Sequence, residues 1–205
     1  MRIVFATGNK DKMKEIRAIL GSLDAEILSM KEAGVFEDVV EDGTTFSENA
    51  RIKADAIYRL LQEKEPGLAD ETVVLADDSG LEIDYLNGEP GIYSARYLGK
   101  DTPYTEKNSI ILDRLSGAKG DERSARFVCA IAASLPGGKK LDTLGKMEGI
   151  IADRIAGDNG FGYDPIFFLP EYGKTSAELS AEEKNAISHR GKALREMEAL
   201  LRKEL

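Results

Sequence analysis

Of the chain's 205 residues, one is cysteine, one is histidine and none is tryptophan. A single cysteine cannot close an internal disulfide, which excludes a stapled secreted scaffold and fits a reducing compartment. One histidine beside one cysteine leaves no His/Cys zinc cluster. Long apolar runs are missing too: no stretch approaches the roughly 20 residues needed to span a bilayer. At the start, MRIVFATGNKDK, the apolar run over 3–6 is too short for a signal-peptide core, and no cleavage-type tail follows. A cytoplasmic location is therefore expected. Basic residues are also in deficit, 28 against 37 acidic, for a formal net charge of −9. That balance argues against nucleic acid or an anionic membrane as the main partner. It leaves room for a small phosphorylated ligand, which needs only a local basic pocket.

What is present is ordinary globular composition, 42% hydrophobic and 32% charged. The length suits one domain over 1–205, with room for two lobes around a cleft. Residues 3–6 read as a strand that stops at the turn signal Thr7-Gly8-Asn9. Met13, Ile16, Leu20 and Leu23 then recur at helical spacing. A second short strand is expected over 26–30. After the acidic stretch 37–43, Thr45 or Ser47 caps a helix, with Glu48 at capping-box distance from Thr45. Residues 72–76 (TVVLA) form an apolar run of the kind buried on both faces, expected to end at Asp77-Asp78. Thr102-Pro103 opens a helix with Pro103 in its first turn. A long strand over 125–135, a turn at 136–138 and a strand over 146–155 follow. The loop 158–164 leads into a short strand over 165–168. A helix capped by Ser180 closes the chain and carries Lys184 and Ser188 on one face. The order predicts a mixed α/β sheet flanked by helices.

Several segments carry chemistry. Thr7, Gly8, Asn9, Lys10, Asp11 and Lys12 form a strand-to-helix turn with free backbone N–H groups and two lysines, which suits phosphate. They equally fit a plain turn with solvated lysines, and the spacing is not that of a P-loop. Asp77-Asp78-Ser79-Gly80 places adjacent carboxylates after a buried strand. One could bind Mg²⁺ while the other orients it or polarises water. An Asp-rich turn is the alternative. Glu41 offers a second metal-binding carboxylate, and Glu48 fits a helix cap as well as a site. In Gly160-Phe161-Gly162-Tyr163-Asp164, either ring could stack on a base or lie in the core. Lys184, His189 and Arg190 offer donors for phosphate or a base carbonyl. Cys129 reads as a small buried hydrophobe. Together these segments describe a pocket for a Mg-nucleotide.

Six motifs in order, ATGNKDKMKEI (6–16), TFSENARIKA (45–54), ADDSGLEIDYLNGEPGIYSARY (76–97), ARFVCA (125–130), GFGYDPIF (160–167) and SAEEKNAISHRGKAL (180–194), span nearly the whole chain. On them the sequence closely resembles the inosine/xanthosine triphosphate pyrophosphatase family. The resemblance implies an elongated mixed α/β fold with a deep cleft between two lobes, and a homodimer. It implies Mg²⁺-dependent hydrolysis of ITP, dITP and XTP to the monophosphate and pyrophosphate. By the same resemblance, residues 7–12 would hold phosphate. Asp78 would be general base and metal ligand, with Ser79 beside the substrate. Phe161, Gly162, Tyr163 and Asp164 would frame the base, Phe161 by stacking. Lys184, His189 and Arg190 would contact substrate, the last two near its 6-oxo group. Glu41 is the second metal ligand by proximity, because the family often has two acidic residues where this chain has Val40-Glu41.

Overall fold

A computed structural model describes residues 2–204. In chain order its elements are β1 (Arg2–Phe5), α1 (Lys10–Leu20), β2 (Glu26–Ser29), α2 (Phe46–Lys64), α3 (Pro66–Ala69), β3 (Thr72–Ile83), α4 (Tyr104–Arg114), β4 (Ser124–Ser134), β5 (Lys140–Ile151), β6 (Phe167–Leu169), β7 (Lys174–Thr175), α5 (Ala181–Ile187) and α6 (His189–Glu204). The strands form one seven-stranded sheet in the order β2-β1-β3-β4-β5-β6-β7. It is mixed: β1 pairs in parallel with β2 and β3, while β6 pairs antiparallel with β5 and β7.

The chain divides into two compact units, and β3, β4 and β5 contribute residues to both. The first comprises residues 1–78, 129–145 and 190–205. Its core takes Ile3 and Phe5 from β1, Val73 and Leu75 from β3, Cys129 and Ile131 from β4, Met13, Ile16 and Leu20 from α1, and Leu194, Met197 and Leu201 from α6. Each such side chain stabilises the unit by about 1.5–3 kcal/mol when fully buried. Cys129 is fully buried in this core. The second unit comprises residues 79–128 and 146–189. Leu81 and Ile83 of β3, Ile111 and Leu115 near the end of α4, Phe127 of β4, Ile151 of β5, and Tyr163, Ile166 and Phe167 make its core.

Several boundaries differ from expectation. β5 ends at Ile151 instead of 155, and the short strand expected over 165–168 spans Phe167–Leu169, because Asp164–Ile166 form a single helical turn. Four further differences have a physical reason. β3 does not end at Asp77 but continues through DDSGLEI to Ile83. The polar pair reads as a strand end only if its charges are assumed to be solvated, and here partners meet them inside the sheet. β5 starts at Lys140, not at 146, because its first residues alternate exposed and buried. Pro103 is the N-cap of α4, one residue outside the helix. The closing helix is two helices: Ser188 has extended backbone (φ −64°, ψ 154°) and ends α5. Lys184 and Ser188 therefore share no helix face. The Ser188 N–H instead bonds the Lys184 carbonyl at 2.8 Å.

In the second unit, the loop after β5 is held by a glycine that nothing larger can replace. Gly157 has φ +83°, and an added Cβ would lie 2.4 Å from the Ala177 carbonyl carbon. Gly157→Ala combines left-handed strain with backbone overlap, for an expected loss of about 2–4 kcal/mol. Urea unfolding measures it, and a loss under about 0.5 kcal/mol, the size of an ordinary surface change, would contradict the packing described.

Candidate active site

In the first unit, the pleat of β3 sorts the two aspartates. Successive side chains point to opposite faces of a strand. Asp77 shares its face with Val73 and Leu75, which pack in the core with α1 and α6. It accordingly meets Lys12 of α1 (2.9 Å) and Arg190 of α6 (3.3 Å). Asp78 takes the other face and accepts a hydrogen bond from Asn49 Nδ2 of α2 at 3.0 Å.

Their electrostatics differ in sign. Burial alone would raise the proton affinity of Asp77, but Lys12, Arg190 and Lys53 outweigh it and hold the carboxyl well below its usual range. Arg190 is itself fully enclosed, with Glu15 as a further partner, and Asp77 keeps it charged against the burial. Asp78 is pushed up to about 6, chiefly by burial, with the Glu41 charge adding to the rise. Glu41 pairs with Lys53 at 2.7 Å. The loop carrying it is pinned to α2. Asn49 Oδ1 accepts from the Gly43 N–H (2.9 Å), and Glu48 accepts from the Thr44 N–H (2.7 Å) and hydroxyl (2.8 Å). Glu48 thus serves the helix cap.

Among the described residues, no three of the His/Cys/Asp/Glu type cluster to hold a metal unaided. A divalent cation bound through Asp78 and Glu41 fits nonetheless. Magnesium uses one or two carboxylates and takes its other ligands from water and substrate phosphates. Its charge would also offset the repulsion that Glu41 exerts on Asp78.

In the turn before α1 the N–H groups of Asn9, Asp11 and Lys12, expected to be free, are bonded within the turn itself. Asn9 caps the helix, its Oδ1 accepting from the N–H groups of Asp11 (2.9 Å) and Lys12 (3.1 Å). Thr7 is buried and its Oγ1 accepts from the Asn9 N–H at 3.2 Å. Gly8, Asn9, Lys10 and Asp11 are exposed. A Cβ on Gly8 would meet nothing within 4 Å, so space lies open beside the backbone there.

In the second unit, Asp164 organises the glycine-rich loop. It is 2% exposed. Its Oδ2 accepts from Lys184 Nζ (2.7 Å) and the Phe161 N–H (2.8 Å), and its Oδ1 from the Ser176 hydroxyl (2.7 Å). Gly160 is required beside it: with φ +73°, an added Cβ would sit 2.2 Å from Asp164 Oδ2. Of the two rings weighed for stacking, Tyr163 belongs to the core. Its hydroxyl donates to the Ser94 carbonyl at 2.7 Å, and its ring stands edge-on to Tyr104 at 5.1 Å. Phe161 is only half-buried, with Lys184 Nζ 4.9 Å from its centroid. His189 is buried and stacks on Phe127 at 4.9 Å. Ser79 lies half-buried on β3.

The structure therefore gathers Lys12, Asp77, Asp78, Glu41 and Arg190 in the first unit and Phe161, Asp164, Lys184 and His189 in the second. Sequence reasoning placed Asn49 beside Glu48 in the first turn of α2 without giving it a partner, and passed over Lys53 and Glu15. A signal was available for Asn49 and Lys53. They stand four apart on α2, where Ala50 and Ala54 are buried, so polar residues at that spacing needed buried partners.

Comparison with known proteins agrees over the whole length. The profile described as the Ham1 family matches residues 3–200. A dITP/XTP pyrophosphatase of Clostridium perfringens is 50% identical over 196 residues, 96% of this chain and 95% of its own. One from Caldanaerobacter subterraneus is 45% identical over 205 residues, 100% of this chain and 98% of its own. The solved Ham1 protein of Staphylococcus aureus is 40% identical with a TM-score of 0.86, covering 100% of both chains.

The opposite environments of the aspartates predict opposite stability effects. Asp77→Asn leaves the half-buried Lys12 and the buried Arg190 charges poorly compensated and should cost about 3–5 kcal/mol. Asp78→Asn removes a charge that burial opposes, so stability at pH 7 should be unchanged or higher by about 1–2 kcal/mol. Denaturant unfolding of both variants checks this, and equal losses would contradict it.

Proposed function

The chain belongs to the Ham1 family, and from that premise we propose that it hydrolyses ITP, dITP and XTP to the nucleoside monophosphate and pyrophosphate, removing deaminated purines from the nucleotide pool. One observation supports this reading most: the adjacent aspartates sit on opposite faces of β3 with different partners. Asp77 is neutralised by Lys12 and Arg190, while Asp78 is held by Asn49 with a carboxyl pushed up to about 6.

The residues then take the following roles. The turn from Thr7 to Lys12 receives the polyphosphate at the open backbone beside Gly8 and through lysine charge at the helix start. Glu41 and Asp78 would hold Mg²⁺, which when bound supplies charge neutralisation along the triphosphate. Asp78 orients a water and accepts its proton as the oxygen attacks the α-phosphorus in line. The bond from the α-phosphorus to the bridging oxygen breaks, and pyrophosphate leaves with Lys12 and Lys53 balancing its charge. Phe161 offers its open face to the purine. Lys184, fixed on Asp164, and His189 supply donors toward the base, with His189 placed to read a 6-oxo group. Adenine presents an amino group there and would leave such a donor unpaired, a penalty that supports strong discrimination. Arg190 acts through Asp77 and Glu15, its partners in the first unit.

The same reading makes the enzyme a cytoplasmic homodimer with no nucleic-acid or membrane partner. The buried lone cysteine and the net charge of −9 favour that setting, and no described helix is long and apolar enough to cross a membrane. The dimer rests on the family resemblance.

Incubation with Mg²⁺ and, separately, ITP, dITP, XTP, ATP and GTP tests the proposal. Pyrophosphate should form from the first three, with little from ATP or GTP. Chelation by EDTA should stop turnover and added Mg²⁺ restore it. Asp78→Asn should reduce kcat by about a hundredfold or more while the protein stays folded. Orthophosphate release, or near-normal activity of that variant, would overturn the mechanism.

A further inference from the structure

Asn108, on the buried face of α4, presents an unusual hydrogen-bond balance. The residue is 2% exposed. Its Nδ2 donates to the Gly162 carbonyl at 3.1 Å, while its Oδ1 is buried with no hydrogen-bond partner among the described residues. A buried acceptor left unmade is destabilising, and an apolar side chain of similar size would avoid that penalty. Stability alone therefore does not account for an amide at this position.

What the bond adds is position. The loop turns at Gly160 (φ +73°) and Gly162 (φ +70°), residues with little intrinsic stiffness. Asp164 Oδ2 holds the Phe161 N–H from one side at 2.8 Å. Asn108 holds the carbonyl of the next residue from the other. The backbone from the Phe161 nitrogen to the Gly162 oxygen is thereby clamped between two buried side chains on separate elements. Tyr104, one turn earlier on α4, flanks the same glycine, 3.6 Å from where a Cβ would stand. The clamped residue, Phe161, carries the loop's half-buried aromatic face.

We propose that Asn108 is a positioning residue for purine binding: its bond to the Gly162 carbonyl sets the orientation in which Phe161 meets the base. This rests on the nucleotide-binding role given to the loop above. The base lies away from the phosphorus under attack, so an interaction with it is equally present in the ground and transition states. Loss of such uniform binding raises KM and leaves kcat alone.

The test compares wild type with Asn108→Leu, and with Asn108→Ala should the leucine variant fail to fold. KM for ITP and XTP should rise about tenfold, the worth of one positioned hydrogen bond, with kcat within about twofold. The leucine variant's Tm should hold or increase, since the unmade acceptor is gone. A merely structural tether would show the reverse, a lower Tm with KM unmoved, and that result overturns the proposal. Hydrogen exchange on the ligand-free protein gives a readout independent of turnover. The amides over 161–163 should exchange faster in the variant, and unchanged exchange also overturns the proposal. If wild type hydrolyses none of the deaminated nucleotides, the assigned function fails, while the exchange result still decides whether Asn108 fixes the loop.

Discussion

A carboxylate with no exposed surface, Asp77, is the constraint on which the first unit depends. Isolating a charge from water costs several kcal/mol even after relaxation, and only well-placed opposite charges offset it. Lys12 reaches it from α1, Arg190 from the start of α6, and the Lys53 charge adds from α2. Three helices remote in sequence are thus tied to one position on a central strand. Given that placement, the alternation of β3 sends the next side chain to the opposite face. Asp78 accepts a hydrogen bond from the Asn49 amide there, and burial raises its proton affinity.

The second unit repeats the device with different content. Asp164 is buried, paired with a lysine, and used to fix backbone instead of helices. Its carboxylate fills the space that a side chain at Gly160 would need, so glycine there is a steric requirement as well as a conformational one. The result is a loop rigid at its base that carries a half-buried phenylalanine. That suits recognition of a flat, largely apolar purine, where a pre-ordered loop lowers the entropic cost of binding.

The elements legible in the sequence were those whose signal is local. The apolar runs that became β1, β4 and the first half of β3, the spacing that became α1 and α2, and the Thr45 and Ser180 caps depend on neighbours within a few residues. The illegible parts depend on tertiary partners. Asp77 and Asp78 looked like a strand end because a buried charge is credible only once Lys12, Arg190 and Asn49 are in place. The break at Ser188 hid inside a sequence with continuous helical periodicity. Tyr163 and Phe161 carry identical local signals, and only the Ser94 carbonyl and Tyr104 decide that Tyr163 is the core ring. Of the candidate site, the partners that hold its side chains, among them Lys53, Glu15 and Asn108, were not readable, because each lies on an element remote in sequence from the group it meets.

The central claim is that water, positioned by Asp78, attacks the α-phosphorus. Hydrolysis of ITP in ¹⁸O-labelled water, with the products separated and weighed by mass spectrometry, tests it most directly. Attack at the α-phosphorus places one labelled oxygen in the inosine monophosphate and none in the pyrophosphate. Label in the pyrophosphate would mean attack at the β-phosphorus, and would contradict both the role of Asp78 and the placement of the triphosphate.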